Sequence, residues 1–438
     1  MIEQLASGAA GLVWSLIFFV IALSVIVAVH EYGHYIVGRL CGIGAQVFSI
    51  GFGPVLFSGV DRRGTRWQLA ALPFGGYVKF KGDADPASMR AEEGEGMAGI
   101  AGQSIHRAPL WARAATVAAG PIFNFIMAVL VLAALGVATG RIAEPLTIGE
   151  VLVPGEWQAG DVIEAVNGTP AATLDEIAEA GETIASDQPA VWTVSRGGEQ
   201  IEVAGPHPFP PLVKSVTPMS AASESDLQPG DVIQSVNGTP VYTFDELRER
   251  VGSSDGAAVQ LEVLRGTETF EAMLVPRRTD IPQQGGGFET RYLIGILGGI
   301  PFSPERTSVG VGEALGTAIG QFGFLVSSSL EGMWSILTGA ISTCNINGPI
   351  GIAETSGAMA EEGFSDYIYF LAVLSAAVGL INLFPIPILD GGHLVFHAYE
   401  AVAGRPPSDR AMRVLMAGGV AIIASLMVFA LTNDLFCP

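Results

Sequence analysis

Charge is what this chain has least of. Asp, Glu, Lys and Arg make up 15% of its 438 residues, while 49% are hydrophobic and the mean hydropathy is +0.45. Soluble domains carry roughly 25% charge, so a purely soluble protein is excluded and a membrane protein with a soluble part is expected. Basic charge is scarcer still. The 22 Lys and Arg face 43 Asp and Glu, a net charge of −21. This argues against a nucleic-acid partner and leaves no polybasic patch for anionic lipid. Cysteine is nearly absent. Cys41, Cys344 and Cys437 lie far apart and form no C-x-x-C pair, so they imply neither a disulfide framework nor a thiolate metal site. No Lys or Arg precedes the first apolar run, unlike the leading region of a signal peptide, so that run is expected to be retained.

What the chain has instead is long uncharged runs. A helix needs about 20 apolar residues to cross a bilayer. Gly11–Val29 (19 residues), Ala114–Gly140 (27), Tyr367–Leu389 (23) and Val414–Asn433 (20) qualify, and Ala314–Leu330 (17) is a Gly- and Ser-rich fifth candidate. The segment Tyr35–Arg113 carries nine cations: Arg39, Arg62, Arg63, Arg66, Lys79, Lys81, Arg90, Arg107 and Arg113. By the Lys/Arg bias this segment is cytoplasmic, and the N-terminus and the acidic region after Gly140 are outside. Arg405, Arg410 and Arg413 should also be cytoplasmic. That parity requires the region 313–360 to lie on the outer surface as amphipathic helices.

The first run continues into His30-Glu31-Tyr32-Gly33-His34. H-E-x-x-H sets two imidazoles one helical turn apart, the spacing that lets both reach one Zn²⁺, with a carboxylate beside them for proton transfer. Catalytic zinc takes three protein ligands and leaves a fourth position for water. Asp390, ending the third run, fits the third place. The orientation argument puts it at the same cytoplasmic depth as the histidines. An Asp within a span costs about 2.5–3.5 kcal/mol on insertion scales and marks function. Pro385 and Pro387 should break the helix just before it.

The exported region is a repeat. Gly160-Asp161-Val162-Ile163 recurs as Gly230-Asp231-Val232-Ile233, Val166-Asn167-Gly168-Thr169-Pro170 as Val236-Asn237-Gly238-Thr239-Pro240, and Asp175-Glu176-Ile177 as Asp245-Glu246-Leu247. Each copy reads as a tight turn, an apolar strand, an Asn-Gly turn and a helix capped by Thr173 or Thr243. Both copies resemble PDZ domains. They are either peptide grooves that bind by strand addition or spacers that exclude bulky substrates.

Together these motifs carry a wider resemblance. H-E-x-G-H on a first span, with Asn382-Leu383-Phe384-Pro385-Ile386-Pro387-Ile388-Leu389-Asp390-Gly391 on a later one, resembles the site-2 protease family of intramembrane zinc metalloproteases. The two PDZ-like copies between them resemble its bacterial regulator of sigma-E protease branch. Gly51-Phe52-Gly53-Pro54, Pro73-Phe74-Gly75-Gly76-Tyr77-Val78-Lys79, Ala119-Gly120-Pro121-Ile122-Phe123-Asn124-Phe125 and Gly348-Pro349-Ile350-Gly351-Ile352-Ala353 extend the resemblance over nearly the whole chain.

The resemblance implies a polytopic α-helical membrane protein with four transmembrane helices, a membrane-associated β-hairpin or sheet and two α+β PDZ domains. The expected segments are 1–40, with the His pair; 41–112, the β region; 113–140, the second span; 145–205 and 212–280, the PDZ copies; 300–362, amphipathic; 366–392, with Asp390; and 411–433, the last span. His30, His34 and Asp390 are the expected Zn²⁺ ligands and Glu31 the general base. Val47–Phe57 and Arg66–Phe80, flanking the turn Asp61-Arg62-Arg63-Gly64, read as a hairpin. In the family the equivalent sheet aligns substrate beside the metal, which makes Gly51 and Gly53 expected substrate-binding positions. Asn382 and Asn124 either bind the substrate backbone or bond a neighbouring helix. His393 and His397, also four apart but without an adjacent Glu, are expected to be interfacial or structural.

By the same resemblance, the substrates are single-span membrane proteins such as an anti-sigma factor, with leftover signal peptides a further class. The setting is a bacterial inner membrane. A PDZ scaffold with a zinc site is the rival reading, and Glu31 speaks against it because a structural site needs no such carboxylate.

Overall fold

The computed structural model describes residues 2–82, 101–218, 220–282, 288–346 and 348–436. Arg90 and Cys437 therefore lie outside the described residues. Two compact units emerge. One comprises Met1–Leu135, Val311–Trp334 and Ile346–Cys437; the other comprises essentially Gly136–Gly310 with Ser335–Asn345.

The first unit begins with α1 (Ile2–Leu40), a 39-residue helix. Strands β1 (Ala45–Val60) and β2 (Arg66–Phe80) follow. β1 is longer than expected, β2 has the expected limits, and both bend on themselves. Residues 47–50 pair antiparallel with 76–79 on one side and run alongside 66–69 on the other, while 55–60 pair back onto 66–70. Two strands thus make a four-segment sheet. Gly51 permits the bend in β1. Its φ is +87°, and a Cβ there would stand 2.8 Å from the Leu72 carbonyl oxygen. The turn between the strands is held by Asp61. Its carboxylate accepts from the backbone N–H of Arg63 (2.8 Å) and Thr65 (2.9 Å), from Trp67 Nε1 (3.2 Å) and from the Tyr35 hydroxyl on α1 (3.2 Å). Helix α2 (Leu110–Thr139) completes this part.

The second unit is built on duplication. Its elements are β3 (Arg141–Ile142), β4 (Ile148–Val151), β5 (Val162–Val166), β6 (Thr169–Pro170), α3 (Leu174–Glu182), β7 (Ala190–Arg196) and β8 (Glu199–Gly205). There follow β9 (Ser215–Val216), β10 (Val232–Val236), β11 (Thr239–Pro240), α4 (Phe244–Gly252), β12 (Val259–Arg265), β13 (Glu268–Leu274), β14 (Arg277–Pro282), β15 (Phe288–Leu293), β16 (Ile296–Leu297), β17 (Phe302–Pro304) and β18 (Arg306–Thr307). The two four-stranded sheets share one topology, β6-β5-β7-β8 and β11-β10-β12-β13.

The repeated motifs have the same tasks in both copies. Asp161 and Asp231, both buried, hold Arg196 and Arg265 through their carboxylates and accept from the backbone N–H of Gln158 and Gln228. Thr173 and Thr243 cap α3 and α4 by accepting from Glu176 and Glu246 N–H. Asn167 (φ +47°) and Asn237 (φ +51°) take the left-handed turn positions.

The copies are not in tandem. β16 pairs with β9 and closes the second copy, whereas β17 returns to pair with β4 of the first. Phe302 is fully buried against Trp157 and Trp192 in the first copy's core. The second copy is therefore inserted in the first. The expected limit of the first copy at 205 omits this strand, because β17 joins only through a pairing some 150 residues distant in sequence.

The chain returns to the first unit with α5 (Val311–Leu337), α6 (Pro349–Glu362), α7 (Phe364–Asn382), α8 (Asp390–Ala403) and α9 (Asp409–Phe436). Ala318 on α5 packs against Leu132 and Ala133 of α2 and Ala372 of α7, and Phe322 meets Phe125 with ring centroids 5.2 Å apart. Asp434 caps α6 by accepting from Gly348 N–H (2.7 Å) and Ile350 N–H (3.0 Å). α7 ends at Asn382, seven residues before the expected limit of the third uncharged run, and Asp390 opens a separate helix, α8. Pro385 and Pro387 account for the break, since neither can continue a helix. Among the described residues four helices, α1, α2, α7 and α9, are long and apolar enough to cross a membrane; α5 is not among them.

Candidate metal centre

α1 and α2 pack closely because glycine stands at their contact. A Cβ on Gly33 would lie 2.5 Å from the Ala119 carbonyl oxygen. One on Gly120 would lie 2.4 Å from His34 Nε2 and 2.8 Å from His30 Cε1. Only a hydrogen at position 120 leaves room for both imidazoles. The third group arrives from α8. A Cβ on Gly391 would stand 2.2 Å from the Leu383 carbonyl oxygen, and one on Gly392 2.2 Å from that of Ile386. These glycines let the start of α8 fold back on the preceding loop, and this fixes Asp390.

The result is one convergence. His30 Nε2 lies 3.1 Å from His34 Nε2, and Asp390 Oδ2 lies 3.0 Å and 3.4 Å from these two nitrogens. Among the described residues these three form the group able to hold a metal ion. Zinc with ligands at about 2.0–2.1 Å in a tetrahedron spaces them about 3.3–3.4 Å apart, close to what is seen. Asp390 Oδ2 is buried and receives no hydrogen bond, as suits an atom meant for a cation. The donor set and its spacing fit zinc.

The other ring nitrogens face α2. His34 Nδ1 is 2.8 Å from the Thr116 carbonyl oxygen, and His30 Nδ1 is 3.3 Å from Asn124 Nδ2. Glu31 lies beside the group, with the Val78 backbone N–H of β2 within hydrogen-bonding reach of its carboxylate. A Cβ on Gly76 would come within 3.2 Å of Glu31 Cγ, so the edge of the sheet lies directly on α1 here.

The remaining sequence candidates fall elsewhere. Asn124 is fully buried behind His30. Asn382, half-buried at the end of α7, donates to the Val378 carbonyl at 3.0 Å. Gly51 is buried at the bend of β1 and Gly53 (φ +82°) is exposed just beyond it. His393 lies on α8 with its ring against Phe396, and burial together with the Arg113 guanidinium holds His397 below the usual histidine range. Arg113 pairs bidentately with Glu400, at 2.7 and 3.1 Å, and ties α2 to α8. Sequence reading missed Thr116, Gly120, Gly391 and Gly392, whose roles are backbone and space rather than side-chain chemistry.

A His-His-Asp group spaced for zinc, a carboxylate at its side and helices fit to cross a bilayer define a membrane metalloprotease. Residues 18–426 match the family described as Peptidase family M50, and the chain belongs to that family, the site-2 proteases. A candidate zinc metalloprotease of Agrobacterium fabrum is 36% identical over 427 residues, covering 95% of this chain and 94% of the relative. One of Rhizobium meliloti is 35% identical over 422 residues, with 95% of each chain covered. One of Xylella fastidiosa is 34% identical over 454 aligned positions, with 96% and 98% covered. A PDZ domain of an SdrC-like protein from Listeria monocytogenes is 24% identical, covers 20% of this chain and 84% of its own, and gives a TM-score of 0.16.

Proposed function

We propose that the chain is a zinc-dependent intramembrane endopeptidase that cleaves the transmembrane segments of single-span proteins, with His30, His34 and Asp390 as metal ligands and Glu31 as general base. The observation that carries this is the meeting of His30 Nε2, His34 Nε2 and Asp390 Oδ2 within 3.4 Å of one another, on elements that belong to spanning helices or follow them directly. Bound zinc would polarise the scissile carbonyl and make water a nucleophile near neutral pH. Glu31 takes the proton of the attacking water and passes it to the leaving amine nitrogen. A helical substrate hides its amides, so it must unwind first. The segment 76–80, lying against Glu31, offers a strand edge for that exposed backbone, and the Asn382 amide is available to hold it.

The two copies are read as extracytoplasmic PDZ domains, either gripping substrate termini or excluding substrates not yet trimmed. Anti-sigma factors and remnant signal peptides are the substrate classes, and a bacterial inner membrane is the setting. The metal group is placed near the cytoplasmic side.

The test is Glu31→Gln. The purified variant should keep its zinc and lose at least about 100-fold in cleavage of a synthetic transmembrane peptide, the scale of a lost general base. Undiminished cleavage refutes the assignment.

A further inference from the structure

The two histidines are not held alike. His34 Nδ1 faces a backbone carbonyl at 2.8 Å, and a carbonyl oxygen can only accept. Nδ1 of His34 must therefore carry the ring proton, which leaves Nε2 bare toward Asp390. His30 Nδ1 faces the amide of Asn124, whose Nδ2 lies at 3.3 Å and whose Oδ1 is buried with no hydrogen-bond partner. With Nδ2 toward the ring, Nδ1 would accept and the proton would sit on Nε2, the very atom 3.0 Å from Asp390 Oδ2. That tautomer cannot bind a metal through Nε2. A half-turn of the amide exchanges its two ends at almost no change in shape. Oδ1 then accepts from Nδ1–H, and His30 matches His34.

We propose that Asn124 is a positioning residue: its Oδ1 accepts the Nδ1–H of His30 and so keeps His30 in the metal-binding tautomer. Of the two expectations for Asn124, substrate backbone or a bond to a neighbouring helix, this takes the second, since the side chain is fully buried behind the imidazole of α1. The Ser375 hydroxyl of α7 donates to the backbone carbonyl of Asn124 at 3.0 Å, a contact between the two helices that does not involve the side-chain amide. Metal-bound histidines generally give their second ring N–H to such an acceptor, and losing it costs about 10–100-fold in metal affinity. The inference rests on the proposed zinc ligands.

The experiment measures zinc affinity by chelator competition on the full-length protein in detergent, for the wild type, Asn124→Leu, Asn124→Asp and Ser375→Ala. Asn124→Leu removes the acceptor and should weaken zinc about 10–100-fold. Asn124→Asp keeps an acceptor and offers no donor, so it should hold zinc within about threefold of wild type. Ser375→Ala perturbs the same helix contact without touching the amide and should leave affinity unchanged. If Asn124→Asp loses zinc as Asn124→Leu does, the amide donates instead and the inference fails. It also fails if Asn124→Leu binds like wild type, or if Ser375→Ala loses as much as Asn124→Leu. Absence of zinc from the wild type itself would sink the ligand assignment instead.

Discussion

Replacing Gly120 with alanine should sharply weaken metal binding without harming the helix that carries it. An added Cβ would sit 2.4 Å from His34 Nε2, 2.6 Å from His34 Cε1 and 2.8 Å from His30 Cε1. Ordinary contact needs about 3.4 Å, so the rings must retreat by about 1 Å, whereas ligand distances in a working site hold to about 0.2 Å. His34 has no easy retreat, because its Nδ1 is held by the Thr116 carbonyl. The expected loss is at least about 100-fold in zinc affinity, beyond the range for removing a mere orienting partner. In a helix interior alanine is favoured over glycine by about 1 kcal/mol, so α2 itself should not weaken. The assay is zinc content of the purified variant after dialysis against a weak chelator, read beside its helical circular dichroism. A variant with full zinc and full cleavage of a transmembrane peptide would refute the packing argument, whatever becomes of the ligand assignment.

Further outcomes follow from the same geometry. Gly391→Ala should displace the start of α8, since its Cβ would meet two backbone oxygens at 2.2 and 2.3 Å. Asp390 would move with it, and zinc content should fall as far as in Asp390→Ala; retention of zinc would show that the loop yields freely. A double-mutant cycle on Arg113→Met and Glu400→Gln should give a coupling of about 1–2 kcal/mol, because the pair is bidentate and mostly shielded from water; a coupling near zero would remove it as a tie between α2 and α8. In the second unit, hydrogen bonds from Arg196 hold the Asp161 carboxyl below the usual range. Its contribution to stability is therefore fully present above the unfolded value near 4 and is lost as pH falls through the lower folded value. Thermal melts between pH 7 and pH 2 should show this acid loss in the wild type, with a smaller share of it in Asp161→Asn.

The site's chemistry was legible because it is carried by rare residue types at fixed spacing. His30 and His34 announce each other at one helical turn, and Asp390 stands out as a carboxylate after a long uncharged run. The supporting features were not legible in the same way. Gly120 and Gly391 matter because of atoms contributed by other segments, and nothing near them in sequence shows which atoms these are. Asn124 could be seen to be polar in a span, but not to stand behind a histidine. α8 has no counterpart among the expected segments, and the two glycines at its start each cost a helix about 1 kcal/mol. Tight packing of those glycines against the preceding turn outweighs that local cost. The repeat was visible at once, since its turns and caps are local. Its nesting was not, since a three-residue strand such as β17 has no periodicity to read.

That nesting sets an order of events. When synthesis reaches Gly205, the first copy still lacks the strand that seals Trp157 and Trp192 under Phe302. Roughly 100 further residues must emerge first, a wait of about 5–20 s at ordinary elongation rates. The inserted copy, by contrast, is complete once β16 appears, before β17 exists. The later-made copy is thus the first that can finish folding, and the host closes last, immediately before α5 is made. A truncation between residues 205 and 300 would strand an open host, whereas excising the insert as a whole would leave β17 free to find β4.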